Sequence, residues 1–206
     1  MKRIITLIVA VVLFLSAVFL VLNWDDMRLN YFLDRYNRIL EEESLQELTL
    51  TIYAIQPWIL TPAPVSKEAI MTGFQESKLT IVVTAEELAQ SLEQLKALNS
   101  DTIQTRDVQA DYIDMRLYYV IKAGDKEILD VSLDAYLKAD SEGYISANGD
   151  REDPDILANA FVNGIMVKAN PALYEAILPF LSEEDREFLG LYDKTINNEG
   201  VISREE

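Results

Sequence analysis

The chain has 206 residues, with 18 basic and 35 acidic side chains for a net charge of −17, and neither cysteine nor histidine. Without thiols or imidazoles it has no disulfides, no zinc–thiolate sites, no lipobox cysteine, and no Ser-His-Asp or Cys-His catalysis. The acid excess repels phosphate backbones and argues against nucleic acid as a partner. Half of the residues are hydrophobic, enough to build a core without staples.

Ile4 to Leu22 is a run of 19 residues, IITLIVAVVLFLSAVFLVL, in which Thr6 and Ser16 alone are polar. As a helix rising 1.5 Å per residue it reaches about 28 Å, close to the ~30 Å hydrocarbon core of a bilayer. Lys2 and Arg3 precede it, and the remainder holds 16 basic against 35 acidic residues, or −19. Positive charge stays on the cytoplasmic side, so a single-pass span with the N-terminus inside and an extracytoplasmic domain is expected. Trp24 falls where an interfacial aromatic anchor belongs. The rival is a cleaved signal peptide, which needs a shorter apolar stretch and an A-x-A-like site. Here Ser16-Ala17 lies inside the run, and Leu15 occupies a position that should be small. The pattern favours an uncleaved signal-anchor in a cell membrane, contacting lipid through residues 4–22.

From Asp25 to about Ser44, Leu29, Phe32, Leu33, Tyr36 and Leu40 fall on one helical stripe. This helix either extends the anchor as a stalk or packs on the domain. Leu48, Leu50, Ile52 and Ala54 alternate with polar residues and predict a strand. Ser66 is an expected N-cap, with Val65 and Ile70 as its staple and Gly73 as its stop. Lys78 to Val83 predicts a second strand, and Thr84-Ala85-Glu86-Glu87 a capping box opening a helix to about Asn99.

After a polar loop from Ser100 to Gln109, alternating apolar residues at 113–121 and 129–133 predict a hairpin. Matching the faces sets Leu117 against Leu133 and Tyr119 against Val131, which asks for the three-residue loop Gly124-Asp125-Lys126. A short strand is expected at Tyr144 to Ala147. A tight hairpin is expected around Asn163-Gly164, where both residues tolerate positive φ. Asn170 and Pro171 open a helix to about Leu181, and Ser182 opens another to about Tyr192. The expected fold is α+β: an antiparallel sheet of five or six strands with helices packed on one face. The expected divisions are an anchor at 1–24, an amphipathic stalk at 25–46, the extracytoplasmic domain at 47–192 and a polar tail at 193–206.

Two clusters are candidate sites. Arg116, Tyr118 and Asp134 share one face of the hairpin and are candidates for binding a small polar ligand. The plainer reading is a cross-strand ion pair worth well under 1 kcal/mol. The acidic insertion holds the metal candidates Asp150, Glu152, Asp153 and Asp155. Asn148, Asp150 and Glu152 alternate as at the start of a calcium loop. Asp153, however, stands where that loop needs glycine, and Asn159 where it needs a bidentate glutamate. A solvated acidic loop without metal is the expectation. Paired carboxylates can serve a glycosidase without histidine, but with 35 acidic residues any such pair carries little information. No cofactor motif is present.

The stretch Tyr112-Ile113-Asp114-Met115-Arg116-Leu117-Tyr118-Tyr119, with Phe161-Val162-Asn163-Gly164 and Leu178-Pro179-Phe180-Leu181, resembles uncharacterised membrane-anchored cell-envelope domains of Gram-positive bacteria. The resemblance covers roughly Leu48 to Tyr192 and implies an N-terminal anchor ahead of one small domain. It brings no functional residues, because no activity is assigned to that family. The expected role is a non-enzymatic, membrane-tethered binding or interaction domain with a membrane or envelope protein partner. The alternative is a carboxylate-dependent envelope glycan hydrolase.

Overall fold

The computed structural model describes residues 2–42, 47–56, 59, 61–74, 76–106, 114–134, 137–140, 143–146, 159–168 and 170–188. Helix α1 (Lys2–Leu22) and helix α2 (Trp24–Glu42) meet at Asn23. The Asn23 side-chain amide donates to the Phe19 carbonyl at 2.8 Å, tying off the last turn of α1. The axes of Ile8–Leu22 and Trp24–Glu42 differ by 61°, so α2 does not continue α1 as a straight stalk. Instead α2 turns its stripe onto the sheet, where Leu29, Leu33, Tyr36 and Leu40 are buried. This is the packing on its own domain that the periodicity allowed.

Among the described residues no single helix is long and apolar enough to cross a membrane, and Ile8–Leu22 passes only together with α2, as a bent pair. Helix α2 adds length but brings Asp25, Asp26, Arg28, Asp34 and Arg35, which hydrocarbon does not accept.

Strands β1 (Leu48–Ile55), β2 (Lys78–Val83), β3 (Leu117–Ala123), β4 (Lys126–Leu133), β7 (Ala160–Val162) and β8 (Ile165–Val167) form a six-stranded antiparallel sheet. Its order is β2-β1-β3-β4-β7-β8. Strands β5 (Leu137–Asp140) and β6 (Gly143–Ser146) pair separately. The α+β expectation holds.

The β3–β4 register is the one the hydrophobic pattern requires, with Leu117 opposite Leu133, Tyr118 opposite Ser132 and Tyr119 opposite Val131. The loop, however, is two residues long, since Ala123 pairs with Lys126. Gly124 supplies the positive φ of 56° that the first position of such a loop demands. Parity is restored by a bulge: Ile121 faces Leu129 but Lys122 faces Glu127, leaving Ile128 as the extra residue. Asn163 and Gly164 form the second tight turn, with φ of 48° and 73°.

One face of the sheet carries the main core, from Leu50 and Ile52 through Tyr119 and Val131 to Val167. It is covered by α2, by α4 (Ala85–Gln90) and α5 (Leu92–Lys96), and by α6 (Ala172–Glu175) with the 3-10 turn Leu178–Phe180. Buried tyrosine tips find carbonyls: Tyr36 Oη donates to Leu95 at 3.1 Å and Tyr119 Oη to Leu173 at 2.6 Å.

Helices on one face only was the expectation; the other face is also covered. Helix α3 (Lys67–Thr72) lays Ile70 over Ile55, Tyr118 and Val120, with Val65 beside it. Two expected long helices are broken. Ser91 separates α4 from α5, and Pro179 confines the chain after α6 to a 3-10 turn. Helix α7 (Glu183–Phe188) starts at a reciprocal cap, Ser182 N–H to Asp185 at 2.8 Å and Asp185 N–H to Ser182 at 3.1 Å.

Candidate functional site

Arg116, Tyr118 and Asp134 lie on the face under α3, but they do not form the exposed constellation expected of them. Arg116 turns away from Asp134. It pairs with Asp114 at 2.6 Å and donates to the Ile59 carbonyl at 2.7 Å. The second Asp114 oxygen accepts the Val65 N–H at 2.8 Å. Asp114 and Arg116 thus staple the crossing segment that leads into α3. Paired and largely withdrawn from solvent, this guanidinium does structural work.

Asp134 is clasped by Asn159, whose backbone and side-chain N–H groups both donate to the carboxylate at 2.6 Å. The Asn159 side-chain oxygen in turn accepts from Arg106 at 3.0 Å. Burial raises the Asp134 carboxyl above the ordinary carboxylate range, the Asn159 hydrogen bonds pull against that shift, and the charge of Asp114 adds to it.

Tyr118 is fully buried instead of exposed, because α3 covers it. Its ring stacks on Tyr53 with centroids 5.9 Å apart and planes 20° apart. The Lys67 ammonium sits over the ring face, 4.9 Å from the centroid, and its hydrogen bonds go to Asp130 at 2.7 Å and Glu127 at 3.0 Å. The Tyr118 hydroxyl is buried and makes no hydrogen bond of good geometry, with the Lys67 ammonium close enough to act on it. Burial pushes its pKa up to about 12, against the pull of Lys67. Burial alone would lower Lys67, but Asp130, the Tyr118 hydroxyl and Glu127 together win and hold it raised.

Lys67 and Asn159 were not among the residues the sequence pointed to. A lysine at the first position of a helix and an asparagine before a strand carry no pattern that sets them apart from solvated surface. The metal candidates Asp150, Glu152, Asp153 and Asp155 lie outside the described residues. Among the described residues no group of three or more carboxylates is placed to hold a metal ion.

Among the described residues, grooves open at two further places. A polar one of about 410 Å³ lies between α2 and the loop before β3, lined by Asp26, Asn30, Ser100, Gln104, Thr105 and Lys168. Thr105 closes one end by donating its hydroxyl to Asp26. A second, of about 290 Å³, runs beside β2 between α4 and the 3-10 turn, with Ile81, Val83, Phe180 and Leu181 on its walls. Comparison with family models, curated proteins and solved structures finds no match to this chain. The case for function therefore rests on the molecule's own surfaces.

Proposed function

We propose that this chain is a membrane-tethered, extracytoplasmic binding domain, with α1 as its lipid-facing element. The observation that carries the reading is the exposure of α1. Leu13, Phe14, Leu15 and Phe19 are each 59–67% exposed, and Val21 and Leu22 are 76% and 77% exposed. Those residues fall on every side of the helix, so one further packed neighbour would cover only a stripe. A helix apolar all round is at home in a bilayer. Trp24, at 56% exposure, sits at the exit, where the chain turns at Asn23. Lys2 and Arg3 support an N-terminus on the cytoplasmic side.

Binding, as opposed to catalysis, is supported by how the charged clusters are spent. Arg116 and Asp114 hold a crossover, Asp134 holds Asn159, and Lys67 is shared by two carboxylates. The glycan-hydrolase alternative gains one raised carboxyl in Asp134. Both oxygens of that group are engaged by Asn159, and neither groove described above is lined by it.

The test is carbonate extraction of membranes carrying the full chain, followed by protease treatment of right-side-out cells. The proposal expects the chain to stay in the washed membrane and the domain to be cleaved from outside. Release of the intact chain by carbonate, or protection of the domain in intact cells, sinks it.

A further inference from the structure

The two edges of the sheet are treated differently. The β8 edge is covered by the loop at 104–106: Thr105 bridges Val167, the Arg106 N–H reaches the Met166 carbonyl at 3.2 Å, and the Lys168 N–H reaches the Gln104 carbonyl at 2.9 Å. At the opposite end, among the described residues, β2 pairs with β1 alone. Its sequence, KLTIVV, has no proline and no charge after Lys78 to discourage a further strand. Lys78 itself is drawn inward, donating to the Met71 carbonyl at 2.6 Å. Val82 is 65% exposed, the one large hydrophobic side chain beyond Tyr31 so exposed among the described residues. The edge of β2 and a groove of mixed lining along the same strand, with Ile81, Val83, Phe180 and Leu181 beside Glu87, Gln90 and Ser182, are two halves of one docking surface. An added strand would place alternate side chains in the groove and against Val82.

Glu87 lines the groove, and the helices on either side of it open on acidic residues. Glu86 and Glu87 open α4 on one side, and Glu183, Glu184 and Asp185 open α7 on the other. Arg186, the cation of α7, is turned to the Leu178 carbonyl at 2.8 Å. We infer that the β2 edge is a docking site for an extended segment of a partner protein, apolar at its centre and basic at its ends, which adds a seventh strand to the sheet. The charge selects against the other two occupants. A second copy brings its own −17, and the chain's own residues 193–206 carry four acidic against two basic side chains. The inference deepens the binding-domain reading and rests on it, but it does not need the membrane anchor.

The probe is the peptide acetyl-Lys-Lys-Val-Thr-Ile-Val-Lys-Lys-amide, with a matched peptide carrying Glu for Lys. Binding to the full chain in zwitterionic detergent is read by fluorescence anisotropy, with micelles alone as the blank. The Lys peptide should bind at least about tenfold more tightly than the Glu peptide at low salt, with the gap closing toward ~1 M salt. N-methylation of alternate amides should abolish binding on one edge of the peptide and spare it on the other, which tests strand pairing without altering the protein. Val82→Lys, at an exposed position, should weaken binding about tenfold while leaving the unfolding midpoint in place.

Equal or absent binding of both peptides overturns the inference, as does indifference to N-methylation. Self-association that Val82→Lys abolishes assigns the edge to a second copy. Much tighter peptide binding by a chain ending at Tyr192 assigns it to the tail; either result overturns the partner. A chain that binds the peptide yet is released by carbonate loses the anchor and keeps the edge, whereas a carbonate-resistant chain that ignores the peptide does the reverse.

Discussion

Tyr118 and Tyr119 are neighbours in sequence, both fully buried, and removing their hydroxyls should move stability in opposite directions. The Tyr118 hydroxyl makes no well-formed hydrogen bond, so Tyr118→Phe removes a polar group whose burial costs about 1–3 kcal/mol. The ring contacts with Tyr53 and Lys67 stay in place. Part of the gain is lost to the small void, leaving about 1 kcal/mol of stabilisation, or a Tm rise of roughly 2–4 °C for a domain of this size. Tyr119→Phe removes the 2.6 Å bond to the Leu173 carbonyl and strands that acceptor in the core, at a cost of about 1–3 kcal/mol. The pH dependence separates the two effects further. The Tyr118 pKa is raised from 10.0 to about 12, so the folded state holds its proton more tightly than the unfolded chain. Its contribution is full below the unfolded value and is lost as pH rises through the folded one. The advantage of Tyr118→Phe over the parent should therefore widen between about pH 10 and 12. Urea unfolding of the full chain followed by circular dichroism measures all three. If Tyr118→Phe costs more than about 1 kcal/mol, the hydroxyl has a partner and the reasoning fails.

Leu33→Ala, at a fully buried position of α2, should cost about 2–5 kcal/mol in the same assay, whereas a free stalk would show almost nothing. Ser66→Ala removes the cap that accepts the Ala69 N–H at 3.2 Å and should cost about 1 kcal/mol, read as an earlier unfolding midpoint. Asp134, raised from 3.8 by burial, should titrate above that value in a carboxyl carbon NMR experiment. Because its folded pKa lies above its unfolded one, its contribution is present at low pH and lost as pH rises through the folded value. The stability of the parent relative to Asp134→Asn should accordingly fall across that window, and a flat difference refutes the assignment.

The local grammar of the chain was legible where one residue type answers one backbone need. Thr84 and Glu87 form their capping box, with the Thr84 N–H donating to Glu87 at 2.8 Å. Asn163 and Gly164 take positive φ, and the β3–β4 faces match as their parity demanded. The failures occur where two local rules competed. A three-residue loop and a two-residue loop with a bulge preserve the same faces, and periodicity cannot separate them. Leu88, Leu92, Leu95 and Leu98 kept their helical spacing across Ser91, so the break there was invisible, and Pro179 was outvoted by the apolar residues around it. The binding candidates failed for a different reason. Alternation says that Tyr118 and Arg116 lie opposite the main core, but it does not say whether anything covers that side. Here α3 does, and what looked like an exposed recognition face became a second core with its own charge network.

The joint at Asn23 gives the tethering proposal a geometric consequence. With α1 along the bilayer normal, α2 leaves at 61° to it. Its 19 residues span about 28 Å and rise only about 14 Å from the bilayer edge. On that proposal a helix so inclined, with Leu29, Leu33, Tyr36 and Leu40 buried in the core, would hold the sheet near the headgroups. On the same proposal the anchor would join the domain through a one-residue break and a partly buried helix. A partner that draws its basic segment along β2 would then act on a domain whose orientation to the membrane is already set by α2. Much of the orientational entropy of docking would be settled before the partner arrives. Glycines inserted at Asn23 would release that orientation and should weaken capture of a membrane-bound partner while leaving binding of the free peptide unchanged.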